Sequence, residues 1–113
     1  MKIVDIALSQ VGEKESKLNK IKYNDWYYGK SVSGGQYPYC AVFVSWCADQ
    51  AGLSTDIIPK TASVKTFRNF FKTSGRLNET AQIGDIMIQI SNGVSHIGIV
   101  VSVESDGFYQ NVA

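Results

Sequence analysis

Three side chains in this 113-residue sequence could form a thiol–imidazole pair: the thiols of Cys40 and Cys47, and the imidazole of His96. A thiolate attacks an amide carbonyl when a nearby imidazole activates the thiol and later protonates the leaving group. Free cysteines are more often core residues than nucleophiles, and a single histidine is more often structural than catalytic. The residue types alone therefore leave both interpretations open.

The residues around the two cysteines predict one mostly buried helix. Cys40, Val44, Cys47 and Ala51 are spaced by three or four positions, and Gly52 follows as a stop signal. Along a helix, seven residues span about 10 Å. A disulfide needs Cα atoms within about 7 Å of each other. Both cysteines are therefore predicted to be free thiols.

The two thiols are predicted to differ in chemistry. Cys40 begins the helix, where unpaired backbone N–H groups and the helix dipole favour a thiolate. Cys47 lies two turns further on and has the surroundings of a small apolar core residue. Two cysteines and one histidine do not supply the four ligands of a closed zinc site. We predict no metal and no cofactor.

Hydrophobic periodicity predicts two further helices. The first has its apolar side at Ile3, Ile6 and Ala7 and stops at Gly12. The other runs from Val64 to Phe71, is capped by Thr61 or Ser63, and stops at Gly75. The polar and aromatic stretch 13–36 shows no sustained period and is predicted to be a long loop.

After Gly84 the pattern changes to period two, which predicts strands. The isoleucines at 86, 88 and 90 form the first strand, and a Ser-Asn-Gly turn at 91–93 leads into the second. In the second strand, one face is predicted to carry Ile97, Ile99, Val101 and Val103, and the other His96, Gly98, Val100 and Ser102. The short side chains of the second face suggest a close approach by another group.

A third strand candidate, Phe108 to Val112, follows an Asp-Gly turn at 106–107. Helices first and an antiparallel sheet last predict an α+β fold.

Two surface features have alternative interpretations. Aromatic residues upstream of Cys40 suit a groove for an extended ligand or a lid over the core; the strip is Tyr23, Asn24, Asp25, Trp26, Tyr27 and Tyr28. The basic face of the third predicted helix suits electrostatic steering towards an anionic partner or an ordinary solvated surface; it carries Lys65, Arg68, Lys72 and Arg76.

Composition limits the possible partners. The chain has 11 basic and 10 acidic residues, without the basic excess of a nucleic-acid domain. No stretch approaches the roughly 20 apolar residues of a membrane span, and the N-terminus lacks the apolar run of a signal peptide. We predict one domain over residues 1–113, a monomer, with no nucleic-acid partner and no membrane span.

The run from Tyr37 to Ala48, YPYCAVFVSWCA, resembles the nucleophile motif of the CHAP family, the cysteine, histidine-dependent amidohydrolases and peptidases. In close relatives the motif reads approximately Pro-Trp-Cys-Ala-x-Phe-Val-Ser-Trp-Cys-Ala. Three other segments resemble the family in the same order: Ile6 to Gly12, Gly84 to Ile86, and Ser95 to Val100 around the histidine. The resemblance covers nearly the whole chain.

The resemblance implies a papain-like α+β fold in which the histidine on the sheet faces the cysteine. It also implies a peptidoglycan hydrolase, as in phage endolysins and bacterial wall hydrolases, that cuts either the N-acetylmuramoyl-L-alanine amide or a stem or bridge peptide. Cys40 attacks the amide carbonyl, His96 acts as the base and then the acid, and the Cys40 backbone N–H donates to the oxyanion. Some relatives carry a calcium loop of aspartates, but only Asp25 lies in that region.

The chain departs from the family pattern at two places. The polar residue usual before the proline is replaced by Tyr37, which leaves Gln36 as the candidate for that role. The orienting Glu of the family falls, by ungapped counting, at Ala113, so Asn111 or Gln110 is the candidate for orienting the imidazole, or both are plain edge-strand residues. Either the chain is truncated at this end or the sequence diverges where the orienting residue belongs.

The substrate-binding residues expected on these grounds are Gln36, Tyr37, Tyr39 and Trp26. Two alternatives to the hydrolase are a weakened or inactive domain that binds wall or a partner protein, and a cysteine protease with the same fold. Without a signal peptide, the hydrolase reaches the wall after holin-type release or as a domain of a larger exported protein.

Overall fold

Helices occupy the first part of the chain and strands the last part. The structure, a computed structural model, describes residues 2–77, 80, 82–91, 94–105 and 109–112. The elements in chain order are α1 (Lys2–Ser9), α2 (Lys22–Tyr28), α3 (Cys40–Gln50), α4 (Val64–Thr73), β1 (Ile86–Ser91), β2 (Val94–Val103) and β3 (Tyr109–Val112). This order confirms the predicted α+β class.

The helix α2 lies inside the stretch that was predicted to be a loop, so that prediction is wrong. With seven residues, α2 is too short to show a hydrophobic period. It ends where Gly29 adopts a left-handed conformation with φ of 70° and donates its N–H to the Asp25 carbonyl. A glycine that closes a helix was the available sequence signal.

The central element is α3, which contacts α1, α2 and β2. Its start at Cys40 agrees with the prediction, and seven of its eleven residues are buried: Ala41, Val42, Phe43, Val44, Ser45, Cys47 and Ala48. The buried Ser45 hydroxyl is bonded to the chain that follows the helix, since its oxygen accepts from the Thr61 N–H at 3.1 Å and lies 3.0 Å from the Pro59 carbonyl oxygen. The middle of α3 is therefore enclosed on most sides.

The helix α4 confirms the third predicted helix. Of the two candidate caps, Ser63 is the one used, because its hydroxyl accepts a hydrogen bond from the Thr66 N–H at 3.2 Å. Val64, Phe67 and Phe71 are buried.

The three strands form one antiparallel sheet in the order β1, β2, β3. The register pairs Ile86 with Ile99 and Ile88 with Ile97, so these four isoleucines share the face that packs against the helices. The predicted turns at 91–93 and 106–107, and residue 108 of the third predicted strand, fall wholly or partly outside the described residues.

A β-bulge in β2 changes the side-chain faces after Val100. Ile97 and Ile99 are fully buried against the helices, and His96, Gly98 and Val100 lie on the opposite face, which confirms the predicted alternation. The register then shifts between Val100 and Ser102. The inserted residue, Val101, reverses the alternation for the rest of the strand.

The prediction that Val103 shares the face of Ile99 is therefore wrong. Val103 pairs with Tyr109, which lies on the same face of β3 as Asn111, and 38% of Val103 is exposed. Ser102 lies instead on the face of Ile99, because it pairs with Gln110. A bulge leaves no signature in a run such as Ile-Val-Val-Ser-Val at 99–103, where apolar residues fill both faces.

Within the described residues, no helix has the length and apolar character needed to cross a bilayer.

Candidate active site

The thiol of Cys40 lies at the first residue of α3 and is half-buried. Backbone N–H groups in the first turn of a helix have no partner within the helix, and the helix dipole places partial positive charge there. Both effects stabilise an oxyanion that forms at this point. This end of α3 has the electrostatics of a nucleophile site.

The thiol of Cys47 has the opposite surroundings. Both cysteines are free, as predicted, and Cys47 is fully buried in the core. Burial raises the pKa of the Cys47 thiol to about 12, because the charged form is disfavoured away from water. Cys47 is therefore a structural residue.

The chain that leads into Cys40 is held by Asn24, which was predicted only as a member of the aromatic strip. Asn24 is fully buried, and its amide donates to the carbonyls of Asn19 at 2.9 Å and Tyr37 at 2.8 Å. The Tyr37 ring also packs edge-on against Tyr28, with centroids 4.9 Å apart. These contacts fix the backbone three residues before the nucleophile candidate.

A sequence signal for Asn24 existed. Asparagine is unfavourable inside a helix unless its side chain bonds elsewhere, and Asn24 stands in the middle of the aromatic strip.

The four predicted substrate-binding residues lie in different environments. Tyr39, immediately before Cys40, is half-buried and lines a cavity described below. Gln36 is exposed, and its side chain folds back over Gly34. Trp26 packs against the core with the Lys60 ammonium 4.3 Å from its ring centroid, which favours the lid over the groove for this part of the strip.

His96 lies near the start of β2, is half-buried, and pairs across the sheet with Gln89. It shares its sheet face with Gly98. In the described part of the chain, no hydrogen bond joins the Cys40 thiol to the His96 ring. Catalytic hydrogen bonds are often long without substrate, and the pairing of the two residues stays a prediction.

The group that approaches the small residues on this face is Asn111. Asn111 pairs with Val100, so it lies on the His96 face, and its amide covers Gly98, where an added Cβ would collide with the amide oxygen. Gln110 pairs with Ser102 and lies on the other face. Of the two polar candidates on β3, only Asn111 is on the same side of the sheet as the imidazole.

A cavity connects the Asn111 region with the start of α3. It has a volume of about 300 Å³, and its walls include Asn111 and Val112 of β3 and Tyr39 and Phe43 around the first turn of α3. Cys40 follows Tyr39 directly, and His96 is two residues from Gly98, which the Asn111 amide covers. Asn111 thus lies on the imidazole face of the sheet and lines the same cavity as the residue before Cys40.

A metal centre has no ligand set among the described residues. No group of three or more His, Cys, Asp or Glu side chains is close enough together to hold an ion there.

The sequence of this chain matches a known protein family. The CHAP domain model matches residues 32–113, which include Cys40, His96 and Asn111. The chain belongs to the CHAP domain family. No curated protein and no solved structure matches this CHAP domain. The match begins after α2, so the segment that carries Asn24 lies outside it.

Membership places this CHAP domain among proteins that are generally cysteine- and histidine-dependent amidohydrolases. The α3 start and the β2 strand both lie inside the matched segment.

Proposed function

We propose that this CHAP domain is a peptidoglycan hydrolase, an N-acetylmuramoyl-L-alanine amidase or a peptidoglycan endopeptidase, with Cys40 as nucleophile. The observation that carries the proposal is the half-buried thiol at the first residue of α3, inside the segment that matches the family. A thiol in this place lies at the positive end of the helix dipole and is accessible to solvent, and a nucleophile needs both.

The proposed reaction has two steps. His96 takes the proton of the Cys40 thiol, the sulfur attacks the amide carbonyl, and a tetrahedral oxyanion forms against the first N–H groups of α3. The C–N bond then breaks, and His96 gives its proton to the departing amine, which leaves a thioester on Cys40. Water, deprotonated by His96, hydrolyses the thioester to a carboxylic acid and the free thiol.

We assign Asn111 the role of a positioning residue. Its amide oxygen accepts a hydrogen bond from one ring N–H of His96, which fixes the tautomer that accepts the thiol proton on the other nitrogen. The position of Asn111 over Gly98, on the imidazole face of the sheet, supports this role. Tyr39 and Tyr37, next to the nucleophile, and the exposed Gln36 contact the substrate, whereas Trp26 belongs to the lid over the core.

The proposed substrate lies outside the cytoplasmic membrane. The hydrolase therefore acts after holin-type release or as a domain of a larger exported protein.

The test is mass spectrometry of soluble fragments released from purified peptidoglycan of several Gram-positive species. Native protein is compared with Cys40→Ala and with Cys47→Ala, which removes the other thiol of the same helix. We expect fragments from native protein and Cys47→Ala and none from Cys40→Ala. Free lactyl-muramic ends identify an amidase, and new stem or bridge termini identify an endopeptidase.

The proposal fails if folded native protein releases nothing, or if Cys40→Ala releases fragments at the native rate. Retained binding to wall without any cleavage would indicate the alternative, a catalytically inactive domain that binds wall. Cleavage of casein but not of wall would indicate a protease of the same fold.

A further inference from the structure

The cavity beside Tyr39 has a chemistry that the proposed reaction does not use. It lies between the end of α1, the first turn of α3 and β3. Its described lining consists of Gln10, Val11, Gly12, Glu13, Ile21, Tyr23, Tyr39, Phe43, Asn111 and Val112. A volume of about 300 Å³ is at the lower limit for small-molecule sites. It therefore suits one amino-acid side chain better than a whole ligand.

The polar groups of the lining include several hydrogen-bond acceptors and one carboxylate. Tyr23 donates its hydroxyl proton to the Gln10 amide oxygen at 3.0 Å, which leaves only lone pairs on the phenol oxygen. The Glu13 carboxylate adds two acceptor oxygens and the single acidic charge of the lining. Among the ten described lining residues none is basic. One carboxylate and no basic residue in this lining favour a ligand that brings positive charge.

The charge of Glu13 is only loosely compensated. Its carboxylate lies 3.6 Å from the Lys22 ammonium, and both side chains are nearly half exposed. Lys22 does not line the cavity, and its ammonium lies 5.1 Å from the Trp46 ring centroid. Burial and then the Glu13 charge raise the pKa of Tyr23, so the phenol stays neutral. The negative charge of Glu13 therefore acts within the cavity.

The other side chains of the lining are mostly apolar. Val11, Ile21, Phe43 and Val112 surround the acceptors. An aliphatic chain packs against such walls, and an ammonium at its end offers three N–H donors to the oxygens.

We propose that this cavity binds the primary amine of a diamino-acid side chain in the wall peptide, with Glu13 as the residue that recognises the ammonium. The inference rests on the proposed function, since Tyr39 joins the cavity to the residue before Cys40. It makes the enzyme selective for a stem or bridge peptide that carries a free side-chain amine.

The test uses two synthetic stem peptides, one with lysine and one with Nε-acetyl-lysine, which has the same chain without the charge. Binding is measured by calorimetry and by amide NMR shifts in native protein, Glu13→Gln and Glu104→Gln. Glu104→Gln makes the same change at an exposed carboxylate outside the cavity. We expect native protein and Glu104→Gln to prefer lysine about tenfold, and Glu13→Gln to bind both peptides equally.

Equal affinity for the two peptides in native protein, or a preference that survives Glu13→Gln, would overturn the inference. Because binding is measured without turnover, these results do not depend on cleavage. If the peptides are also cut, Glu13→Gln should raise KM for the lysine peptide with little change in kcat. Loss of Cys40-dependent cleavage with a Glu13-dependent preference intact would reject the hydrolase and support the amine site.

Discussion

Cys40 and Cys47 are seven residues apart on the same helix, and their sulfur atoms have opposite surroundings. Cys40 begins the helix and is half-buried, and the residue before it, Tyr39, lines a cavity. Cys47 is fully buried in the core, and burial raises the pKa of its thiol to about 12. The residue type supplies a thiol in both places, and the position along α3 decides which thiol is shielded from solvent. Four measurements test this difference.

The largest expected effect is in alkylation. At pH 8 a thiol with a pKa of about 12 is ionised to only about one part in ten thousand, and Cys47 is also out of contact with solvent. We expect iodoacetamide to modify Cys40 at least about 100-fold faster than Cys47 in folded protein. Peptide mapping at timed intervals measures both rates. Denatured protein, in which the two rates should converge, is the control, and equal rates before denaturation would contradict the assignment.

The second largest effect is expected at Asn24, which holds the backbone before Cys40. Asn24→Ala removes two buried hydrogen bonds and leaves the Tyr37 carbonyl unpaired. We expect a loss of about 2–4 kcal/mol in the free energy of unfolding, measured by urea denaturation.

Asn69→Ala, at an exposed position on α4, is the control and should cost less than about 0.5 kcal/mol. In Asn24→Ala the alkylation rate of Cys40 should change while Cys47 stays protected. An unchanged Cys40 rate would show that Asn24 has no part in positioning the nucleophile.

A third, smaller effect separates the two cysteines by stability. Cys47→Ser places a hydroxyl among apolar side chains and should cost about 1–3 kcal/mol. Cys40→Ser, at a half-buried position, should cost less than about 1 kcal/mol. Urea unfolding of the two variants provides the comparison. Equal losses would mean that Cys47 is less buried than described.

The smallest effect is in the pH dependence of stability. The Cys47 pKa rises from 9.0 in the unfolded reference to about 12 in the fold. Above pH 9 the unfolded chain therefore releases a proton that the folded chain keeps, and stability falls as pH rises. At pH 10 we expect native protein to lose about 1 kcal/mol more than Cys47→Ala, relative to pH 8. If stability falls with pH equally in the two proteins, the Cys47 thiol does not cause the fall.

Periodic elements could be predicted from the sequence, and so could the difference between the thiols. The spacing around Cys40 and Cys47 gave α3 and its start, and alternation gave β1 and the first half of β2. In these segments one face is buried over several helical turns or several strand residues. Apolar residues therefore recur at the period of the helix or strand.

The missed features depend on single residues or on tertiary contacts. The helix α2 is stabilised by Asn24 and by aromatic packing, neither of which is periodic. The bulge at Val101 inserts one residue into an unbroken pattern. The choice of Asn111 over Gln110 depends on the register of β3 beyond that bulge. Glu13 became a candidate only because the fold brings the end of α1 next to β3.

The contact between Gly98 and the Asn111 amide has a consequence for how such sequences diverge. An added Cβ at position 98 would collide with the Asn111 amide oxygen and with the Val112 carbonyl oxygen. A smaller residue at position 111 relieves only the first collision, so relatives with an alanine or larger residue in place of Gly98 should differ both at position 111 and in the path of the β3 backbone. Under the proposed function, another group then orients their imidazole.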